Sequence, residues 1–592
     1  MEATVAGVRG FRFSWGLVLL VSAHFFLSLS SMADSSGVFD EADYIGAGRY
    51  VYETGDWFFS SALFHPPLSY YLNSVPLFFT PLPKGIFSVP SGVRDERGWI
   101  WYDEFIGRPL LYGHGSQSDR VLFRARLPNL ILSALLILLI GLWAKQRWGE
   151  PAGWISAAAA AFSPNLLAMA RFALTDIPLT FFYTFHTWAA WSYLRTGRRR
   201  YFFVMTLSAA AAASSKLNGI FTLPVGLAVI FVSRRGSYRK AFRDGFSYLL
   251  GLAGVIWLLY SCAVGPAITA RNSGKLFATL TASLPGAEVL KRILAMPVPA
   301  PQYLRLWGNT LAHARRGHPG FLLGEFRTHG WWYYFPIAWL VKSSLPTILA
   351  VFFGTVRSVR FPQFERGWWV PLLAGFFILG PALVGGINIG IRHILPIYPL
   401  LFVFPVGALL NQGPPIRRSC GLTSPTSRSA SQHPGCSDDS ARESMGKPAV
   451  RPGFYFVLGI LLGLLQFPVA LAAYPSYTSF FNRAVGGIER GEKILSDSNI
   501  DFGEDFIRLA RYQKEKGISE LALAKFVMYD PSHYGVRYRE LTGPTAGWVA
   551  VEVMAQQWAR REEPNPLAWL DEYTPVDRVG GSIKIYFIPE KQ

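Results

Sequence analysis

The sequence predicts a mainly α, polytopic membrane protein that carries a small C-terminal α/β domain. Three observations lead there. The chain is 51% hydrophobic and only 16% charged over 592 residues. Apolar runs that approach or exceed the ~18–20 residues needed to cross a bilayer recur along it, about 11 in all. The Lys and Arg excess, a formal net charge of +19, falls mostly in short loops between those runs, as positive-inside topology requires. In a soluble chain such an excess points to nucleic acid. Here the loop rule accounts for it, and no nucleic-acid partner is expected. Cys262, Cys420 and Cys436 are too few and too scattered for a disulfide framework or a zinc site. There is no internal repeat and no Walker A phosphate loop.

Taken in order, Arg9 and Arg12 precede the run from Ser14 to Ser30, read as a retained first helix with a cytoplasmic N-terminus rather than a cleaved signal peptide. Residues 31–123 are rich in aromatics, Pro and Gly and lie outside. Within them Tyr44 to Trp57 reads as an amphipathic surface helix, and Pro67 to Phe79 as a segment dipping into the interface. The spans that follow are centred on 128–144, 154–169, 177–194, 202–213, 220–232, 246–264, 336–356, 368–384, 395–410 and 454–472. Basic clusters at 145–147, 198–200, 234–243 and 357–366 mark one side, the cytoplasm. The predicted organisation is a transmembrane core with external loops over 1–410, a disordered Ser-, Pro- and Arg-rich cytoplasmic linker over 411–453, a last span over 454–473, and an external α/β domain over 474–592. In that domain Glu504 to Lys514 reads as a helix. Leu521 to Val527, Trp548 to Met554 and Ser582 to Ile588 read as strands.

The polar residues that resist a structural explanation share one face. Asp40, Glu41, His65, Arg124, Arg126, Asp176, Lys216, Lys342, Arg392 and His393 all fall at outer membrane ends. Ionisable groups beside a membrane pathway mark a functional site. Lys342 and Arg392 break the positive-inside rule, so each needs an anionic partner, a carboxylate or a lipid phosphate. Arginine's planar fork suits the latter. Carboxylates that activate a hydroxyl and cations that neutralise a phosphate leaving group are the parts of a transfer reaction at the membrane surface. For Asp40 and Glu41 the competing reading is a helix start, with Asp40 as N-cap. His65, between Phe64 and two prolines, reads equally as a packed or hydrogen-bonded side chain or as a ligand; the external His318 and His329, with the acids, permit a divalent metal site, but no spacing is diagnostic of one.

The motifs resemble those of lipid-carrier-dependent glycosyltransferases of the GT-C class, the protein O-mannosyltransferases and aminoarabinose transferases. Asp40 to Tyr44 with Glu53 to Trp57 is similar to their first-loop segment, and His65-Pro66-Pro67-Leu68 resembles the mannosyltransferase motif. Arg124 to Pro128, Ala173 to Pro178, Lys342 to Pro346 and Arg392 to Pro396 follow the family's order. So does the tail, from Tyr474 through Asn482 and Gly486-Gly487 to Asp497-Ser498-Asn499-Ile500-Asp501-Phe502-Gly503-Glu504-Asp505. Phe502 and Glu504 depart from that pattern, where the family has Trp and Gln.

The resemblance implies a GT-C membrane fold with external juxtamembrane helices and an inverting glycosyltransferase. A mannose-like hexose would leave a polyprenyl- or dolichyl-phosphate carrier for a hydroxyl on a protein, lipid or glycan acceptor. Asp40 would act as general base and Glu41 would position the acceptor. Arg126, Lys342 and Arg392 would bind the donor phosphate. His65, Asp176, His318, Asp497, Asn499 and Asp501 would position substrate. The expected location is the plasma (inner) membrane, with the site and tail facing the periplasm. The rival class, a transporter or flippase, expects inverted repeats and charges near the midplane, and neither is evident.

Overall fold

Each apolar run is occupied mainly by helix in the computed structural model, which describes residues 15–88, 91–93, 95, 100, 104–113, 116–267, 289, 292, 295–410, 452–527 and 529–590. Most of the predicted linker, with Cys420 and Cys436, and part of the stretch 265–331 between the predicted spans 246–264 and 336–356 lie outside the described residues. Trp15–Ala33, Gln117–Trp148, Tyr238–Leu259 and Gly453–Ala473 are long and apolar enough to cross a membrane, and a bent pair makes a fifth. Shorter apolar helices, Leu217–Ser233, Val370–Val384 and Ile397–Leu409, pack among them. The protein is a multi-pass membrane protein. Its longest helix, Ser116–Trp148, carries Asp119 in its first turn and Lys145 and Arg147 in its last, as the helix dipole favours.

Of the runs that depart from a straight rod, two have their stranded carbonyls met by side chains from elsewhere. The run 336–356 is two helices, Tyr334–Lys342 and Leu345–Arg360, crossing at 116°. Pro346 has no N–H and cannot continue the ladder through residue 342. Ser344 caps the second helix, accepting from the Thr347 N–H. The carbonyls stranded at the break are met from elsewhere. Asn165 donates to the Lys342 carbonyl at 2.8 Å, and Asn482 donates to those of Leu340 at 2.6 Å and Ser343 at 3.0 Å. The run 395–410 holds a π-helical stretch, Phe402–Val406, with Pro405 inside it. Ser156 and Trp148 donate to the carbonyls of Phe402 and Val403, each at 2.7 Å. A Cβ at Gly354 would collide with the Pro405 carbonyl, so the two helices approach through that glycine.

The predicted surface helix from Tyr44 to Trp57 is interrupted. Gly46 adopts φ 90°, which separates a single turn, Glu41–Tyr44, from the helix Ala47–Thr54.

The C-terminal domain contains a five-stranded sheet in the order Tyr538–Glu540, Leu521–Ala524, Gly547–Glu552, Ile583–Ile588, Asp577–Val579. The first three strands are parallel and the last two pairings antiparallel. The period-2 alternation splits its two faces. Leu521 and Leu523 pack with Phe506 and Leu509 of the helix Phe506–Lys516, while Ala522, Val549 and Val551 pack with Leu567 and Leu570. The tail is stitched to the start of the chain. Phe39 and Ser36 donate backbone N–H groups to Phe502 at 2.9 Å and Glu504 at 3.0 Å, and the Ser36 hydroxyl donates to Gly503 at 2.8 Å. This seam fixes the segment that leads directly into Asp40.

Candidate active site

Asp40 opens the short turn Glu41–Tyr44, yet its side chain makes no cap bond. Its Oδ2 instead accepts from Arg392 at 2.5 Å. Arg392 lies on the 3-10 turn Ile391–Ile394, and its guanidinium also stands 4.0 Å from Asp176. Asp176 is the first residue of the helix Asp176–Thr196 and accepts from Lys216 at 2.7 Å. The four charges therefore alternate, Asp40, Arg392, Asp176, Lys216, along one line of contacts drawn from four separate elements. The Arg392 guanidinium also lies over the ring of Phe502 from the tail, 5.0 Å from its centroid, a cation–π contact.

Around this line stand neutral and tunable groups. The Tyr44 hydroxyl and His65 Nε2 share a 3.0 Å hydrogen bond. Burial first, then the Asp40 charge, raises the Tyr44 pKa well above its ordinary value. Burial and the nearby Lys216 hold His65 down to about 4, and burial, Lys216 and Arg392 hold His393 well below the usual imidazole range. Asp497, at φ 60°, is raised by burial while Arg392 opposes the shift. His318 hydrogen-bonds the Pro319 carbonyl at 3.1 Å and acts electrostatically on both His393 and Asp497. Asp40, His65, Asp176, His318, Arg392 and Asp497 thus come together. Asp176 Oδ2, His65 Nδ1, His393 Nε2 and Arg392 Nε are buried there without a hydrogen-bond partner.

Other expected site residues do different work. Glu41 is fully buried, and Arg126 grips it with two bonds of 2.7 Å. The remaining Arg126 donors go to the carbonyls of Met32, Ser35 and Ser36. Glu41 also accepts backbone N–H groups from Val38 at 3.0 Å and Ala173 at 2.8 Å. A guanidinium so saturated has no donor to offer a phosphate, nor Glu41 an oxygen for an acceptor. Lys342 is equally enclosed, donating to the carbonyls of Thr478 at 2.6 Å and Asn499 at 2.5 Å. It anchors the tail rather than facing a ligand. Asn499 accepts from the Ile391 N–H at 3.0 Å and donates to the Tyr334 hydroxyl at 2.9 Å, so it positions the Arg392 turn. Asp501 accepts from Gly503 N–H at 2.7 Å and shapes the seam.

Sequence reasoning placed Lys216 on the right face but gave it no role, and did not single out Tyr44. The signal for Lys216 was present: a lysine following an apolar helix on the side that should lack positive charge. Tyr44 carried no signal beyond its place in the first-loop motif. Among the described residues no three His, Cys, Asp or Glu side chains are grouped to hold a metal ion.

Residues 118–261 match the profile of the dolichyl-phosphate-mannose-protein mannosyltransferase family. The resemblance read from the motifs is borne out by that match, which contains Asp176 and Lys216. No curated protein matches the chain. Among solved structures it is similar to the Saccharomyces cerevisiae protein O-mannosyltransferase Pmt1-Pmt2 complex bound to the sugar donor. The identity is 21% and the TM-score 0.31, over 43% of this chain and 34% of that one. The chain thus spans about a third of that yeast protein. It is also similar to ArnT from Cupriavidus metallidurans bound to undecaprenyl phosphate, at 13% identity and a TM-score of 0.44, over 96% and 97% of the two chains. The Archaeoglobus fulgidus oligosaccharyltransferase in its apo form shows 12% identity and a TM-score of 0.44, over 79% of this chain and 56% of that one.

Proposed function

We propose that this protein is an inverting glycosyltransferase. It moves a neutral, mannose-like hexose from a polyprenyl- or dolichyl-phosphate carrier to a hydroxyl of a protein, lipid or glycan acceptor at the outer face of the plasma membrane. One observation carries the reading. A carboxylate and an arginine fork, Asp40 and Arg392, stand 2.5 Å apart where apolar helices end, with a second acid–base pair, Asp176 and Lys216, beside them. The matched family profile over residues 118–261 supports the same class.

Asp40 takes the proton of the acceptor hydroxyl as its oxygen bonds to the anomeric carbon. The anomeric carbon–oxygen bond to the phosphate breaks, and its electron pair leaves with the lipid phosphate. Attack opposite the leaving group inverts the centre. Arg392 stabilises the departing charge, and Lys216 takes the second cationic place expected of Arg126 and Lys342. A phosphate that recruits Arg392 loosens its grip on Asp40, so donor binding frees the base. Asp176 holds both cations in register.

The test follows lipid-phosphate release from a panel of radiolabelled polyprenyl-phosphate sugars with a mixed acceptor extract. Wild type is expected to release it with a hexose donor, and Asp40→Asn to lose about 10²–10⁴-fold in turnover while remaining folded. Near-normal turnover in Asp40→Asn removes Asp40 as base. Arg392→Ala is expected to raise the KM for donor at least about tenfold more than that for acceptor, as a lost charge-assisted bond implies. Equal effects on both argue against a phosphate role.

A further inference from the structure

We infer that His65 and His393 form an imidazole pair that reads the hydroxyls of the transferred sugar and so determines donor specificity. The inference rests on the glycosyltransferase reading above and names residues that recognise the sugar rather than the phosphate.

The two residues come from distant parts of the chain. His65 follows the 3-10 turn Ser61–Leu63, and His393 sits beside Arg392 on the turn Ile391–Ile394. Both lie in the field of Lys216 and Arg392, and His65 acts on His393. Geometry links them as well: Arg392, next to His393, bonds Asp40, which opens the turn whose Tyr44 bonds His65. His65 Nδ1 and His393 Nε2 are buried with no hydrogen-bond partner. An unpaired buried ring nitrogen is costly, so a ligand group that fills it is favoured. For His65 the other nitrogen is taken by Tyr44 at 3.0 Å. Whichever way that proton lies, Nδ1 keeps the complementary role, donor or acceptor.

Three other roles fit less well. An imidazole held neutral by burial and two cations has no proton to give as general acid near neutrality. Phosphate asks for donors that carry charge, and these rings carry none. Among the described residues no metal-binding group of three forms. A hydroxyl both donates and accepts, as a neutral imidazole does. The choice therefore falls on a hydroxylated sugar.

The experiment measures kcat/KM of the full-length protein in detergent with polyprenyl-phosphate mannose and its monodeoxy analogues. Wild type is expected to discriminate about tenfold or more against at least one monodeoxy donor. In His65→Ala or His393→Ala that discrimination should shrink below about threefold, because removing either partner of one hydrogen bond removes the same interaction. Equal discrimination in wild type and both variants overturns the inference. So does a wild type that turns over every analogue alike, a result that needs no variant and stands even where a histidine substitution fails to fold. Release by wild type without discrimination leaves the reaction class intact and sinks only the pair. No release with any donor sinks both.

Discussion

Asp40 and Glu41 are adjacent in sequence and opposite in circumstance. Glu41 is satisfied four times over by Arg126 and two backbone N–H groups, whereas Asp40 has one partner, itself a candidate ligand for phosphate. Glu41→Gln should therefore leave Arg126 buried and unpaired, costing about 3–5 kcal/mol of stability. It would appear as a lower melting temperature in detergent, with the KM of surviving protein little changed. A normal melting temperature with a raised acceptor KM returns Glu41 to the site. The sequence placed both acids at the mouth of a span but not their partners, which lie 85 and 352 residues away. Motif order brought Arg392 and Asp176 into view. It could not distinguish Arg126 and Lys342, cations consumed by the fold, from Lys216, because saturation is a property of geometry and not of residue type.

At the scale of elements, the broken span shows how proline punctuation becomes architecture. Pro346 was legible, yet hydropathy alone runs through it, and 336–356 read as one helix. The break is held open by Asn165 and Asn482, whose amides replace the missing ladder bonds. Interhelical hydrogen bonds in membranes are worth about 0.6 kcal/mol on average. Asn482→Ala, which loses two of them, should cost about 1–2 kcal/mol and speed proteolysis of the tail, which Asn482 joins to the helix Tyr334–Lys342. Unchanged proteolysis would detach the tail from that role. In the tail, the strands Leu521–Ala524, Gly547–Glu552 and Ile583–Ile588 followed from short apolar stretches, β-branched in the last two. The edge strands Tyr538–Glu540 and Asp577–Val579, at three residues each, are too short to show alternation.

For the whole molecule, two buried groups outside the membrane give pH dependences of opposite sign. His65 is held down to about 4 from 6.5, so its contribution is complete above 6.5 and is lost as pH falls through about 4. Glu552 is pushed up to about 7 from 4.5 by burial, with Glu504 adding to the rise and the N–H groups of Phe526 and Val527 opposing it. Its contribution is complete below 4.5 and is lost as pH rises through about 7. Melting temperature against pH should therefore fall on both sides of a mildly acidic maximum. Glu552→Gln should flatten the alkaline limb and leave the acid limb alone. A variant with an unchanged alkaline limb would assign that loss to another group.

The seam between Ser36–Phe39 and Phe502–Glu504 joins residues as much as 468 positions apart, from Ser36 to Glu504. At a translation rate of about 5–20 residues per second, the ribosome needs roughly half a minute to a minute and a half to make the second half of that seam after the first. Throughout that interval the segment leading into Asp40 lacks its partner, and Arg392, once made, lacks Phe502 beneath it. Insertion into the bilayer and competence for chemistry are thus separated in time. Under the proposed function, a nascent chain already threaded through the membrane cannot act on a lipid carrier until its tail emerges and closes the seam.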